Sequence, residues 1–177
     1  MKEYSEATRT VRSELRLQSF LPYILSKLAD TISVELSGIY GDEYGLSVPE
    51  WRIIANLAQH GTLNARQIVD FAGMEKSKVS RAVKRLTVRG LLTQQRASVD
   101  NRAKDLALTG AGETLYRAIV PRVLAWEKTL LEGLEVGEYR DLLYLLEKLG
   151  RQLHLLNVAP AQEWGGAEPG DKPWAAA

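Results

Sequence analysis

Apolar residues recur along this chain at helical spacing in six segments, broken once by two short alternating runs. From Ser19 to Tyr40 a long stripe of Leu21, Ile24, Leu25, Leu28, Ile32, Leu36 and Ile39 predicts a helix, with Pro22 near its start where proline is tolerated. Gly41 to Gly45 breaks it. Ser47-Val48-Pro49-Glu50 has the Ser-x-x-Glu form of a capping box and predicts a helix through about His60, closed by Gly61. Asn64 can cap a short helix from Ala65 to Ala72, with Ile68 and Phe71 turned inward. Gly73 supplies the turn into the next helix, completing a helix-turn-helix.

That next segment, Met74 to Gly90, organises the chain. Val79, Ala82, Val83 and Leu86 gather on one face. At roughly 100° per residue, Arg81 points away from it, with Ser77 and Lys84 beside Arg81 and Lys78 and Arg85 flanking; Ser80 joins these as a candidate DNA contact. Such a helix can lie in a major groove, its small hydroxyls and cations reaching base edges and phosphates. An ordinary solvated amphipathic helix would show a similar pattern. The residues after Gly90 favour the groove. Leu91 to Arg96 and Ala103 to Leu108 predict two strands around the polar turn 97–102, with Leu92, Leu106 and Leu108 able to face inward. A hairpin directly after a basic helix is the plan of a winged helix. Its tip would carry Arg102 to the backbone or minor groove, with Asp100 placed to hold it extended or simply to form the turn.

Thr109 can cap a further helix through Leu115, Ile119, Val123 and Leu130, ending near Gly133, in which Pro121 predicts a kink. A last helix, from about Gly137 to Asn157, carries Leu142, Leu145, Leu146, Leu149, Leu153 and Leu156. The remainder is rich in Ala, Gly and Pro and predicts a flexible tail. The fold class is therefore mainly α with a small β-hairpin wing. It divides into an N-terminal arm and dimerisation helix (1–46), a winged helix-turn-helix (47–108), C-terminal dimerisation helices (109–157) and a tail (158–177).

Charge sharpens this reading. The net charge of +1 says little, but residues 62–108 hold 10 Lys/Arg against 4 Asp/Glu, whereas both flanking segments are net acidic. The positive field lies on the segment placed on DNA. With 0 cysteines among 177 residues, disulfides and thiolate metal sites are excluded. His60 and His154 have no metal-ligand spacing around them, and no P-loop, GxSxG or dinucleotide fingerprint occurs. No cofactor and no catalysis are expected. The charged start lacks a secretory core, and no apolar run approaches the ~20 residues needed to span a bilayer, so a cytoplasmic protein off the membrane is expected.

Val79-Ser80-Arg81, Arg89-Gly90-Leu91-Leu92, Asp100-Asn101-Arg102 and Leu108-Thr109-x-x-Gly112, in that order, resemble the signature of the MarR family of bacterial transcription regulators. The resemblance covers roughly Phe20 to Leu155; Gln94 and Gln95 stand where many relatives are more charged. It implies double-stranded operator DNA as a partner and a homodimer formed through the terminal helices. The long apolar stripes fit that pairing, although they could also fold back onto their own domain. It further implies a repressor released by a small-molecule effector, often an aromatic acid or a related compound such as its thioester. Such ligands sit between the dimerisation helices and the helix-turn-helix, which makes Tyr23, Tyr40, Trp51 and Tyr116 candidate walls. Arg12 or Arg16 could meet an anionic group. The same residues read otherwise as core aromatics and a solvated basic face. The competing function is a winged-helix module whose basic face binds an acidic protein; such a module should show apolar anchors on that face.

Overall fold

The computed structural model describes residues 15–96 and 104–155. After a single 3-10 turn, Leu17–Ser19, the elements are α1 (Leu21–Gly41), α2 (Val48–His60), β1 (Leu63–Asn64), α3 (Ala65–Ala72), α4 (Lys76–Val88), β2 (Leu92–Arg96), β3 (Lys104–Leu108), α5 (Gly110–Leu131) and α6 (Val136–Leu155). This is the mainly helical winged helix that the sequence pattern predicts.

Local chemistry fixes the helix ends. Ser47 and Glu50 form the capping box of α2, in which the Glu50 carboxylate accepts from the Ser47 amide at 2.8 Å and from its hydroxyl. Asn64 and Gln67 reciprocate at α3: Asn64 Oδ1 accepts from the Gln67 amide at 3.0 Å, and Gln67 Oε1 from the Asn64 amide at 2.8 Å. Gly73 ends α3 in the left-handed region, with φ at 59°, and turns the chain into α4.

The sheet has three antiparallel strands in the order β1-β3-β2. Leu92 pairs with Leu108, and Gln94 with Leu106. The third strand is only Leu63–Asn64, opposite Leu106 and Asp105. Two residues are too short to show alternation, which is why the sequence pattern reveals only the hairpin.

One core joins the winged helix to the long helices. Ile53, Ile54 and Leu57 of α2, Ile68 of α3, four residues of α4, Leu63, Leu92 and Leu106 of the sheet and Ile119 of α5 are buried together. Phe71 corrects the sequence reading. It is 52% exposed and lies flat on His60, with ring centroids 4.5 Å apart. On an eight-residue helix, Ile68 and Ala72 already occupy the inward line, so Phe71 falls on the flank and finds the imidazole at the end of α2. Pro121 lies inside α5, which runs through it without interruption.

Candidate nucleic-acid interface

Helix α4 is split cleanly by burial. Val79, Ala82 and Leu86 are 1% exposed or less and Val83 is 8% exposed. Ser77, Lys78, Ser80, Arg81, Lys84 and Arg85 are all exposed. The apolar face packs on α2 and α3, so the polar face is presented outward as a rigid unit. Arg81 Nε donates back to the Ser77 carbonyl at 3.4 Å, and the side chain stays exposed.

Arg85 is turned differently. Its Nε lies 3.3 Å from the Glu50 carboxylate, and a terminal nitrogen donates to Ser47 Oγ at 3.4 Å. Glu50 is 4% exposed, and its two oxygens are shared between the cap of α2 and Arg85. A buried carboxylate needs such partners. Arg85 thus ties α4 to the start of α2, a role that periodicity along α4 cannot reveal because Glu50 lies 35 positions away.

Arg89, absent from the sequence-derived set of DNA contacts, is a second tie. It donates to the carbonyls of Tyr44 and Gly45 at 2.7 and 3.0 Å, joining the end of α4 to the loop that follows α1. Arg122 reaches the same loop from α5. It pairs with the Glu43 carboxylate, and its guanidinium carbon lies 5.9 Å from the centre of the Tyr44 ring. A Tyr44 hydrogen bond, then Glu43, hold the Arg122 guanidinium above its ordinary pKa.

The wing is set by a compact joint. Thr109 Oγ1 donates to the Gly90 carbonyl at 2.7 Å and accepts from the Gly112 amide at 3.0 Å, capping α5. Gln94 of β2 donates to Thr87 Oγ1 at 3.1 Å, holding the hairpin against α4. Asp100 and Arg102 lie between β2 and β3, outside the described residues.

Of the candidate effector walls, three are brought together. Tyr40 stacks on Trp51 with centroids 5.4 Å apart, and Trp51 stacks on Tyr116 at 5.9 Å, joining α1, α2 and α5 in one column. Tyr40 is 2% exposed, so its ring is core, and burial raises its phenol pKa above the usual value, against a smaller opposing effect of Arg52. Trp51 and Tyr116 are half-buried. Tyr23 stands apart from that column. It lies 17 positions before Tyr40 on the same helix, about 25 Å along the axis, exposed beside Lys27 and Asp30. Arg16 is exposed ahead of α1, and Arg12 lies outside the described residues.

Among the described residues no cluster of three His, Asp or Glu side chains could hold a metal ion, and no helix is long and apolar enough to cross a membrane.

The MarR family model matches residues 44–103, which begin in the Tyr44 loop and end just before β3. The HTH-type transcriptional regulator YwoH of Bacillus subtilis is 30% identical over 100 residues, covering 56% of this chain and 69% of that protein. The chain belongs to the MarR family. A MarR/EmrR family regulator from Acinetobacter sp. ADP1 superposes with a TM-score of 0.73 at 29% identity, over 80% of this chain and 99% of that one. NadR, solved in complex with 4-hydroxyphenylacetate, superposes with a TM-score of 0.65 at 25% identity, over 79% of this chain and 96% of its own. As a MarR family member the protein is a DNA-binding transcription regulator, and the family is not one of enzymes.

Proposed function

We propose that this MarR family regulator acts as a homodimer on a two-fold operator, as a repressor released by a small aromatic acid or a related thioester. The observation that carries the DNA reading is the division of α4. Four apolar residues are sealed against α2 and α3, while Ser77, Lys78, Ser80, Arg81 and Lys84 stand clear of any packing role. Arg81, Ser77, Ser80 and Lys84 face base edges, and Lys78 faces phosphate. Arg85 is divided between phosphate and Glu50. Arg102 enters the minor groove with Asp100 behind it, a reading that rests on the sequence of the turn. An acidic protein partner is disfavoured because the central residues of this face offer no large apolar anchor.

The dimer reading rests on the terminal helices. In α1, Leu21, Ile24, Leu25 and Leu28 are 36–53% exposed, and in α6 the exposures of Leu142, Leu143, Leu145, Leu146, Leu149 and Leu153 run from 38 to 54%. These rows amount to a contiguous apolar face on each helix, more than a lone chain leaves in water. A second copy related by a two-fold axis would cover both.

The effector reading rests on the aromatic column of Tyr40, Trp51 and Tyr116 at the junction of the long helices with the DNA-binding lobe, and on NadR, which is similar in fold and binds 4-hydroxyphenylacetate. Trp51 and Tyr116 offer the accessible ring edges. Tyr23 is a further candidate wall, and Arg12 or Arg16 of the partner copy would meet the anionic group.

A mobility-shift assay on the DNA flanking the protein's own gene tests the core of this reading. Arg81→Ala should weaken that complex by about 1–3 kcal/mol and relax base preference. Equal losses on operator and random DNA would assign Arg81 to phosphate instead.

A further inference from the structure

Two separate parts of the fold, the end of α4 and the middle of α5, converge on the short loop between α1 and α2. The loop is itself well fixed: the Gly45 amide donates to the Gly41 carbonyl at 2.9 Å, the Leu46 amide to the Tyr40 carbonyl at 3.1 Å, and Leu46 is 3% exposed. Arg89, at the end of the recognition helix, grips the Tyr44 and Gly45 carbonyls. Arg122, from the middle of α5, grips Glu43 and Tyr44 from the other side. Both arginines are exposed, so neither is needed to fill the core. Their contacts instead join the element that reads DNA to the two long helices, α1 and α5.

We propose that Arg89 and Arg122 are positioning residues that clamp the Glu43–Gly45 loop and thereby set the orientation of α4 relative to α1 and α5. Two recognition helices held by a dimer must fit grooves one turn apart, about 34–36 Å centre to centre. Buried contacts fix α4 on α2 and α3, and Tyr40, Trp51 and Ile119 pack the lobe on the long helices. The clamp adds directional polar contacts that tie the end of α4 itself to the loop and to α5. Charge-assisted donation by one guanidinium to two carbonyls is directional as well as strong, which suits a joint that must hold an angle. The Arg122 arm is an exposed ion pair and weakens with salt, whereas the Arg89 arm donates to neutral carbonyls and is less sensitive. This inference rests on the proposed two-fold dimer, because orientation matters only when two lobes engage one duplex.

The test uses two duplexes: one recovered by selecting random-sequence DNA on the full wild-type chain, and a second carrying one half of it with the other half scrambled. Binding both lobes at once gains avidity of about 10²–10⁴, so loosening the joint should cost about tenfold on the two-half duplex. Arg89→Gln should show that loss with half-site affinity changed by less than about twofold, and Arg122→Gln the same pattern more mildly. The wild type should also discriminate against a duplex with one base pair inserted between the halves, and both variants should discriminate less. Arg122→Gln removes only a surface pair, so it reports even where Arg89→Gln lowers the melting temperature. Equal losses on half-site and full-site duplexes would overturn the proposal and make Arg89 a DNA contact or a stabilising residue. Unchanged binding in both variants would overturn it as well. A selection that yields only single half-sites would overturn the two-fold dimer, and this inference with it.

Discussion

Gly112 sits against Leu91 so closely that a Cβ built on it would lie 2.3 Å from the Leu91 carbonyl oxygen. That oxygen accepts from the Thr109 amide at 3.1 Å, so it cannot easily retreat. The spacing of Thr109 and Gly112 therefore has a physical cause. Threonine caps α5 and ties it to Gly90, and the glycine three residues later lets the first turn of α5 press on the start of the wing.

Gly112→Ala should destabilise the fold by about 1–3 kcal/mol despite the better helix propensity of alanine, because a backbone atom rather than a flexible side chain must move. Thermal unfolding measures it. An unchanged or raised melting temperature would show that the wing and α5 are not held in this contact.

Ile68 and Phe71 share one short helix but should respond differently to truncation. Ile68→Ala should cost about 2–5 kcal/mol as a core truncation, while Phe71→Ala should cost about 0.5–1.5 kcal/mol, the worth of its stack on His60. Chemical denaturation of the two variants would separate them. Comparable losses would restore Phe71 to the core.

Glu50 is shared between capping α2 and holding Arg85, which gives its substitutions different consequences. Glu50→Ala should lower stability by about 0.5–2 kcal/mol through loss of the cap. Glu50→Gln keeps an acceptor for the Ser47 amide but frees Arg85 toward DNA. Its affinity for random DNA should rise, and the salt slope should steepen by about one unit. A weakened complex at unchanged stability would show that the Glu50 charge serves to aim Arg85 at DNA.

Tyr40 makes the fold sensitive to alkali. Its folded pKa is raised above 10.0 by burial, so the neutral phenol is favoured in the folded state. That contribution is fully present below pH 10.0 and is lost as the pH rises from there through the folded pKa. Tyr40→Phe should therefore unfold less steeply with pH above about 10 than the wild type. Parallel pH profiles for the two proteins would contradict the buried placement of the phenol.

Much of the fold is legible in the sequence because its signals are local. The four buried residues of α4 follow from helical period alone, and Ser47, Asn64 and Thr109 announce their helices through capping chemistry that spans three residues. Legibility ends where contacts become long-range. Arg89 and Arg85 look like two more cations on a basic helix, and only the fold brings them to Tyr44, Gly45 and Glu50. Strand β1 is too short for its pattern to show, and it exists because β3 offers a free edge at Leu106. The pattern misplaces Phe71 because a period of 3.6 leaves its direction ambiguous on an eight-residue helix, and the imidazole of His60, 11 positions away, decides it. Tyr40 and Trp51 can be seen as aromatic but not as stacked.

In the proposed dimer, two copies of α4 read one operator. Hydroxyl-radical footprinting on the duplex bound by the wild type tests it most directly. Two protected patches are expected, related by a two-fold axis and centred about one helical turn, or a whole number of turns, apart. Arg81→Ala should weaken both patches together. A single protected patch, or two whose protection responds to Arg81 on one side only, would contradict it.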